Sequence, residues 1–192
     1  MGKKTAPKTG HKQRQFRKLA ALYQTMQQRY DTQARQIGLQ CAGCNDNCCT
    51  SYFQHHTYIE WLYLWEGVTA CPPEQQARFV ERAHEYVQHT QAAAARGERP
   101  RLMCPLNEEG WCAVYSHRLM ICRLHGVPNR LRYPDGRVQH FPGCWRCQEL
   151  TATAPVTPML DRTDLYLELV ALEKALLGGK IKTLPRVDLT LA

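Results

Sequence analysis

The first strong pattern in the chain is a run of apolar side chains at spacings of three and four residues over 12–37. This period is that of an amphipathic helix, and Gly38 is a typical stop. The next apolar segment, residues 58–66, ends at Gly67 and is apolar at most positions. It predicts a short buried helix, with a strand as the alternative, because periodicity alone does not separate the two in a short apolar run.

Two further stretches predict helices. Residues 73–95 begin with proline, which the first turn of a helix tolerates, and they place several apolar side chains on one face. Residues 162–177 carry leucines at helical spacing, and Asp161 in front of them is a suitable N-cap.

The stretch 98–157 shows no long helical period and is rich in Gly, Pro and Cys. Residues 107–110 read Asn-Glu-Glu-Gly and predict a turn, and Asp135-Gly136 is the turn signal of a β-hairpin. Residues 151–158 are mostly Thr, Ala and Pro, which predicts a linker.

Charge is concentrated at the amino end of the chain. The 192 residues include 25 Lys and Arg against 17 Asp and Glu, a net charge of +8. Residues 1–36 hold nine basic residues and one acidic residue, so the rest of the chain is neutral. A basic arm favours polyanions, and we predict contact with RNA, DNA or anionic lipid through residues 1–36. The plainer alternative is a solubilising tail followed by the polar face of a helix.

The sequence shows neither a membrane span nor a secretory signal. No apolar run approaches the ~18 residues of a span. Residues 1–10 start with charge but lack the apolar region of a signal peptide. We therefore expect a reducing cytoplasm, where clustered cysteines are metal ligands more often than disulfides.

Ten cysteines are the most informative residues in the chain. Nine of them form three groups, and Cys71 stands alone. The first group reads C-x2-C-x3-C-C, the second has spacings of seven and nine residues, and the third reads C-x2-C. We predict these nine as metal ligands: Cys41, Cys44, Cys48, Cys49, Cys104, Cys112, Cys122, Cys144 and Cys147.

The spacing favours metal over buried structural thiols or a disulfide framework. Two residues between cysteines let the chain turn so that both sulfurs reach one ion, at about 2.3 Å for zinc. A closed zinc site and a cubane iron–sulfur cluster each take four ligands, so nine cysteines supply two sites or one site with spares. Because adjacent side chains diverge, the pair Cys48 and Cys49 predicts two centres that share the loop 41–49.

This pattern resembles the YkgJ-type cysteine-cluster family, a domain described as zinc- or iron-chelating. The resemblance covers about 41–147. It rests on Cys41-x2-Cys44-x3-Cys48-Cys49, Cys104-Pro105-Leu106, Cys112-Ala-Val-Tyr115, Arg118 and Cys122-Arg123. It implies metal binding through the matched cysteines, as an iron–sulfur cluster or as zinc. The chain departs from the family at Leu119, where the family has proline, and in having two late cysteines instead of one.

Histidines near the cysteines are secondary candidates. His125 follows Cys122 at a ligand spacing, although a hydrogen-bonded loop histidine is the commoner role. His55 and His56 follow the first group closely, and a solvent-facing position is the default for both.

Arginine and aromatic residues also accompany the cysteines. Arg118 and Arg123 are either donors that offset thiolate charge or plain surface residues. We expect Tyr115 to lie in the core. The four tryptophans are expected in the core or as a shield around the metal: Trp61, Trp65, Trp111 and Trp145.

These observations predict a single small domain, mainly α, with irregular metal-organised loops and a small β-hairpin. Its expected bounds are 12–178, between a flexible basic tail, 1–11, and a C-terminal tail, 179–192. The predicted function is a cytoplasmic metal-binding protein that holds an iron–sulfur cluster or zinc for redox or structural purposes. Two alternatives stay open: an RNA- or ribosome-associated module with structural metal, and a metal-dependent enzyme that modifies protein or RNA.

Overall fold

Six α-helices and five short strands form the part of the chain that the computed structural model describes, residues 9–41, 48–53, 57–154 and 157–178. The helices are α1 (Thr9–Gln36), α2 (Tyr58–Thr69), α3 (Pro73–Ala95), α4 (Met120–Leu124), α5 (Trp145–Thr151) and α6 (Thr163–Leu177). The strands are β1 (Asn107–Glu108), β2 (Trp111–Cys112), β3 (Asn129–Arg132), β4 (Val138–Phe141) and β5 (Leu160–Asp161). The prediction of a mainly α, single small domain is confirmed.

All four predicted helices are present. α3 has the predicted bounds, α6 begins one residue later than expected, and α1 begins three residues earlier. The segment at 58–69 is a helix and not a strand, because its buried residues recur along one wide helical face. None of the described helices is both long enough and apolar enough to cross a lipid bilayer. The two predicted tails fall mainly on residues 1–8 and 179–192, which lie outside the described residues.

The predicted hairpin is also confirmed. Strands β3 and β4 pair antiparallel around Asp135-Gly136. The amide of Tyr133 donates to the carbonyl of Arg137 at 2.8 Å, and Gly136 takes the positive φ of +86° that this turn needs.

Five short elements went unpredicted. The helices α4 and α5 and the strands β1 and β2 lie in the cysteine-rich stretch, where only the turn at 107–110 was predicted, and β5 follows the predicted linker. β5 pairs parallel with β3, and Asp161 on it binds Arg130 at 3.0 Å. Asp161 also accepts the amide of Thr163 at 3.0 Å, so it helps to start α6 as expected.

The main apolar core surrounds α1, which packs on α6, α4 and α2. Its most deeply buried members include Leu19, Met26, Ile59, Leu124 and Leu165. Residues 9–36 of the basic segment therefore belong to the core and are not a detached arm. Their charges lie on the outer face.

A second, smaller core lies between α2, α3 and the loop that follows α3. Its buried members are Leu64, Val68, Phe79, Leu106, Val114 and Leu119. Three cysteines of the second sequence group pack against it: Cys104, Cys112 and Cys122. The cysteine-rich loops are therefore packed against this second core.

Two buried carboxylates tie the helices together. Glu173 on α6 accepts the amides of Tyr58 and Ile59 at 2.9 and 2.8 Å, so it caps the start of α2 from a neighbouring helix. Glu60 on α2 is 3% exposed and accepts from the hydroxyl of Tyr23 at 2.7 Å. It also accepts from the Thr57 hydroxyl and from the amide of Met120, at 2.8 and 2.7 Å.

Replacing Glu60 with alanine should destabilise the fold by about 3 kcal/mol, because buried donors on α1 and α4 lose their acceptor. Glu60→Gln should recover part of this loss, since its amide keeps one acceptor oxygen. Chemical denaturation measures both effects. The matched control is Glu81→Ala on the exposed side of α3, with an expected change within about 0.5 kcal/mol. Equal stability of the Glu60→Ala and Glu81→Ala variants would contradict this role.

Candidate metal centre

Four cysteines line one cavity of about 60 Å³. They are Cys49, Cys104, Cys112 and Cys122, and all four were predicted as ligands. They come from separate segments: the single helical turn Cys48–Thr50, the loop after α3, strand β2 and helix α4. The structure therefore brings one member of the first sequence group together with all of the second.

Backbone hydrogen bonds set the positions of these sulfurs. The amide of Cys104 donates to the carbonyl of Cys49 at 2.9 Å, which joins the two loops. The predicted turn at 107–110 connects β1 to β2, and Asn107 pairs with Cys112 across that hairpin. Cys104 and Cys112 therefore flank one tight hairpin.

Two of the sulfurs already accept backbone amides. The amide of Leu106 bonds the Cys104 thiol, and the amide of Val114 bonds the Cys112 thiol. In both cases the donor lies two residues after the cysteine. Amide donors of this kind stabilise a thiolate and tune a bound metal.

Burial opposes ionisation of the metal-free thiols. Burial raises the pKa of Cys104 to about 12, and it raises the pKa of Cys112 as well. The pKa of Cys122 is raised further, first by burial and then by the charges of the other three cavity cysteines. Cys104, Cys112 and Cys122 are thus neutral near pH 7 unless a cation replaces their protons.

Arg118 supplies positive charge at the cavity wall. Its Nη2 donates to the Gln27 side chain of α1 at 2.9 Å, and its guanidinium lies 3.8 Å from the ring centre of Tyr115. Its Nε is buried and has no hydrogen-bond partner among the described residues. The charge of Arg118 lowers the pKa of Cys112 and of Cys122, against the effect of burial.

Arg123 is a structural donor and not a surface residue. It is 6% exposed and lies 4.0 Å from the ring centre of Tyr23. Its Nε donates to the carbonyl of Arg118 at 2.9 Å, and its Nη2 donates to the carbonyl of Ser116 at 2.7 Å. Arg123 thereby holds the loop that presents Arg118 to the thiols.

His125 also faces the cavity. Its Nε2 lies 3.1 Å from the Ser51 hydroxyl, and Phe53 packs edge-on against its ring. The expected hydrogen-bonded loop histidine is therefore confirmed, in contact with the same cavity as the thiols. His55 and His56 lie outside the described residues.

Cys41, Cys144 and Cys147, the other predicted ligands whose side chains the structure describes, do not line this cavity. Cys41 is exposed, Cys144 is half-buried and Cys147 is wholly buried. Burial raises the pKa of Cys147 to about 11, and the charge of Cys144 adds to this. Cys44 lies outside the described residues, and the side chain of Cys48 is not described. Within the described ranges, no three His, Cys, Asp or Glu side chains are grouped closely enough to hold a single ion.

Four of the aromatic residues expected in the core are exposed. Trp65 on α2 is 38% exposed, and the other three lie in the cysteine-rich stretch. Trp111 is 73% exposed, Trp145 is 56% exposed and Tyr115 is 47% exposed. Each of these three lies beside a cysteine-bearing loop but points outward, because the short hairpin and short helices there are too small to bury a large ring.

Sequence reasoning missed several residues that shape the site. Tyr86 on α3 lines the cavity, and Gln27 on α1 anchors Arg118 from 91 positions away. Both fit the helical pattern of their elements, so no local signal marks them.

The cavity contains the kinds of donor that a thiolate-bound metal uses, although the described side chains are not drawn in closely enough to hold one ion. The cavity offers four soft donors, amide N–H groups on two of them and an unpaired guanidinium N–H beside them. Comparison with models of known families, with curated proteins and with solved structures finds no match for the chain. The fold and site thus define it by class, as a small, mainly α-helical protein with a four-thiol cavity. The resemblance to the YkgJ-type family stays a prediction.

Alkylation of the reduced, metal-free protein should separate the cysteines by burial. Cys41 should react first because it is exposed. Cys104 and Cys147 should react more slowly than Cys41, and their rates should rise as the pH approaches about 12 and about 11, because the thiolate is the nucleophile. Time-resolved mass spectrometry after iodoacetamide addition measures each rate. Uniform rates for all three residues would contradict this arrangement.

Proposed function

We propose that the protein is a cytoplasmic metal-binding protein whose cavity cysteines, Cys49, Cys104, Cys112 and Cys122, hold an iron–sulfur cluster, with zinc as the alternative. The observation that carries the proposal is that four thiols from four separate segments line one cavity. Four cysteine thiolates are the usual ligand set of a cubane cluster and of a structural zinc site.

The state of the thiols supports metal over disulfides. Among the cavity cysteines, Cys104, Cys112 and Cys122 form no disulfide. Four half-buried sulfurs beside a cationic guanidinium form a poor apolar core, since that cation is better satisfied by anionic sulfur. A metal replaces the thiol protons and makes the sulfurs anionic, which gives Arg118 its counter-charge.

The size of the cavity favours a cluster over a single zinc ion. Zinc draws four sulfurs to about 2.3 Å, which leaves no empty volume between them. The cavity of about 60 Å³ is several times the ~10–15 Å³ that one water needs, so it has room for a larger inorganic core.

The chain's own residues would set the properties of this centre. A cluster with four protein ligands supplies electron transfer or structural support. The amides of Leu106 and Val114 donate to two of its sulfurs, and Arg118 places positive charge at its edge. Apolar side chains such as Leu64 and Leu119 line the same cavity and limit water there.

Anaerobic purification tests the proposal. The wild-type protein should be brown and contain iron and acid-labile sulfide in equal amounts, whereas zinc would leave it colourless. The variant Cys104→Ser with Cys122→Ser should lose that metal because it removes two of four ligands. Cys71→Ser is the matched control, since Cys71 is half-buried but bonds the Gly67 carbonyl at 3.4 Å outside the cavity. A double variant with undiminished iron and zinc would overturn the proposal.

Polyanion binding is a second candidate, supported by the exposed cations on the first half of α1: Lys12, Arg14, Arg17 and Lys18. Because α1 is part of the core, deleting it is not a usable test. Changing these four residues to glutamine should weaken binding to single-stranded RNA and reduce its salt dependence, measured by fluorescence anisotropy. If the RNA affinity and its salt dependence stay equal to those of the wild-type protein, the basic face of α1 is not the contact.

A further inference from the structure

We infer a binding site for a nucleoside phosphate, either free or within a single nucleic-acid strand, on one face of the β3–β4 hairpin. Arg162, the residue before α6, is the group that binds the phosphate. The site uses neither the cavity cysteines nor the basic face of α1. It can therefore fail while either of those proposals stands.

Arg162 is a buried cation without a partner. It is 9% exposed, and its Nε is buried and makes no hydrogen bond among the described residues. Burial lowers the pKa of Arg162, and the groups that act against this are Tyr133 and Tyr166, not a carboxylate. Buried guanidinium groups in proteins are normally paired with an anion. Arg162 is therefore suited to an anionic ligand.

The carboxylates around Arg162 are already paired with other arginines. Salt bridges of 2.6, 3.0 and 2.5 Å join Asp135 to Arg137, Asp161 to Arg130 and Asp164 to Arg29. Residues 129–141 and 160–164, together with Arg29, thus hold five arginines against three carboxylates. Arg132 and Arg162 remain without an ion pair in the described part of the chain, so this region has a surplus of two positive charges.

The start of α6 is not itself the anion site. Asp161 accepts the amide of Thr163 at 3.0 Å, and Asp164 accepts the amide of Leu165. These carboxylates cap the helix, so the donor for an external anion is the side chain of Arg162.

Aromatic rings hold the guanidinium groups on this face of the hairpin. The guanidinium of Arg162 lies 3.8 Å from the ring centre of Phe141, and that of Arg137 lies 5.0 Å from the ring centre of Tyr133. The Tyr133 hydroxyl donates to the side chain of Gln139 at 2.6 Å, which joins the two stacks. A guanidinium that stacks on a ring keeps its edge, with the N–H groups, available for a phosphate.

Tyr166 supplies an exposed ring beside Arg162. Its amide donates to the Arg162 carbonyl at 2.9 Å, so it lies one helical turn further along α6, and it is 40% exposed. Exposed aromatic faces stack on nucleic-acid bases, and arginine adds cation–π attraction. A cation for the phosphate and a ring for the base together favour a nucleoside phosphate over a bare anion.

Titration of the full chain, purified anaerobically, tests the site with three probes: inorganic phosphate, uridine monophosphate and a fluorescein-labelled oligouridylate. Arg162→Met keeps an unbranched side chain but removes the guanidinium. It should weaken binding of the nucleotide probes roughly 10-fold or more, because a charge-assisted contact is lost. Calorimetry measures the two small probes, and fluorescence anisotropy measures the oligouridylate.

Arg132→Met is the matched control. Arg132 is the other arginine of the hairpin without an ion pair, and strand alternation places it on the opposite face from Leu131 and its partner Gln139. Its affinity should stay close to wild type. Equal losses for Arg132→Met and Arg162→Met would overturn the site, because general charge would then explain the binding. So would a wild-type protein that binds none of the probes.

Tyr166→Ala separates the base from the phosphate. It should weaken binding of uridine monophosphate or the oligouridylate roughly 10-fold and leave binding of inorganic phosphate unchanged, since only the nucleotides have a base to stack. Tight binding of the monophosphate identifies a free nucleotide as the ligand, and binding of the oligouridylate alone identifies a strand. Nucleotide affinity equal to wild type would remove Tyr166 and the base from the site.

Stability guards against misfolding of the key variant. Without ligand, Arg162→Met should be at least as stable as wild type in chemical denaturation, because it replaces an unpaired buried cation with an apolar side chain. A marked loss of stability would show that the fold already satisfies Arg162 and would contradict the site. An oligouridylate affinity that falls with the α1 glutamines but not with Arg162→Met would also overturn it, and would leave the α1 contact standing.

Discussion

The Glu60 carboxylate is the interaction on which the cysteine cavity depends. It lies in the main core and joins α1 through Tyr23, the start of α2 through Thr57, and α4 through the amide of Met120. Helix α4 has five residues and carries Cys122, and a helix this short has little stability of its own. Its position is therefore set by the carboxylate at its first residue and by the packing of Leu124. A buried charge normally costs free energy, but three donors with short hydrogen bonds offset that cost.

The cavity itself balances two opposed electrostatic effects. Burial disfavours thiolates and raises their pKa values, whereas Arg118 and the amides of Leu106 and Val114 lower them. Without metal, burial dominates at Cys104, Cys112 and Cys122, and these thiols stay protonated. In the proposed metal-bound form, a cation would replace the protons, and the same donors would then stabilise the thiolates.

Sequence reasoning recovered the long helices and the β3–β4 hairpin, because each is defined by local period or by a turn signal such as Asp135-Gly136. It missed the short elements α4, α5, β1, β2 and β5, which form only against tertiary partners. The cysteines that are grouped in the sequence are not the same ones that lie together in space. Cys49 leaves the first group to join the second, which was foreseen only in the argument that Cys48 and Cys49 must diverge. The local sequence does not indicate that Trp111 and Trp145 are exposed, because aromatic residues also occur in protein cores.

One stripe of α1 joins the cavity segment 118–126 to Cys41. Tyr23, Gln27 and Tyr30 are spaced by four and three residues and so lie on the same helical face. Along that face Tyr23 contacts Glu60 and Arg123, Gln27 holds Arg118, and Tyr30 reaches Gly126 and Cys41. The segment 118–126 runs beside this stripe, and it carries Arg118, Cys122 and His125, which line the cavity. In the sequence the two tyrosines are indistinguishable from core residues of an amphipathic helix. The amino-terminal helix is therefore basic on its outer face, and its inner face positions the thiols.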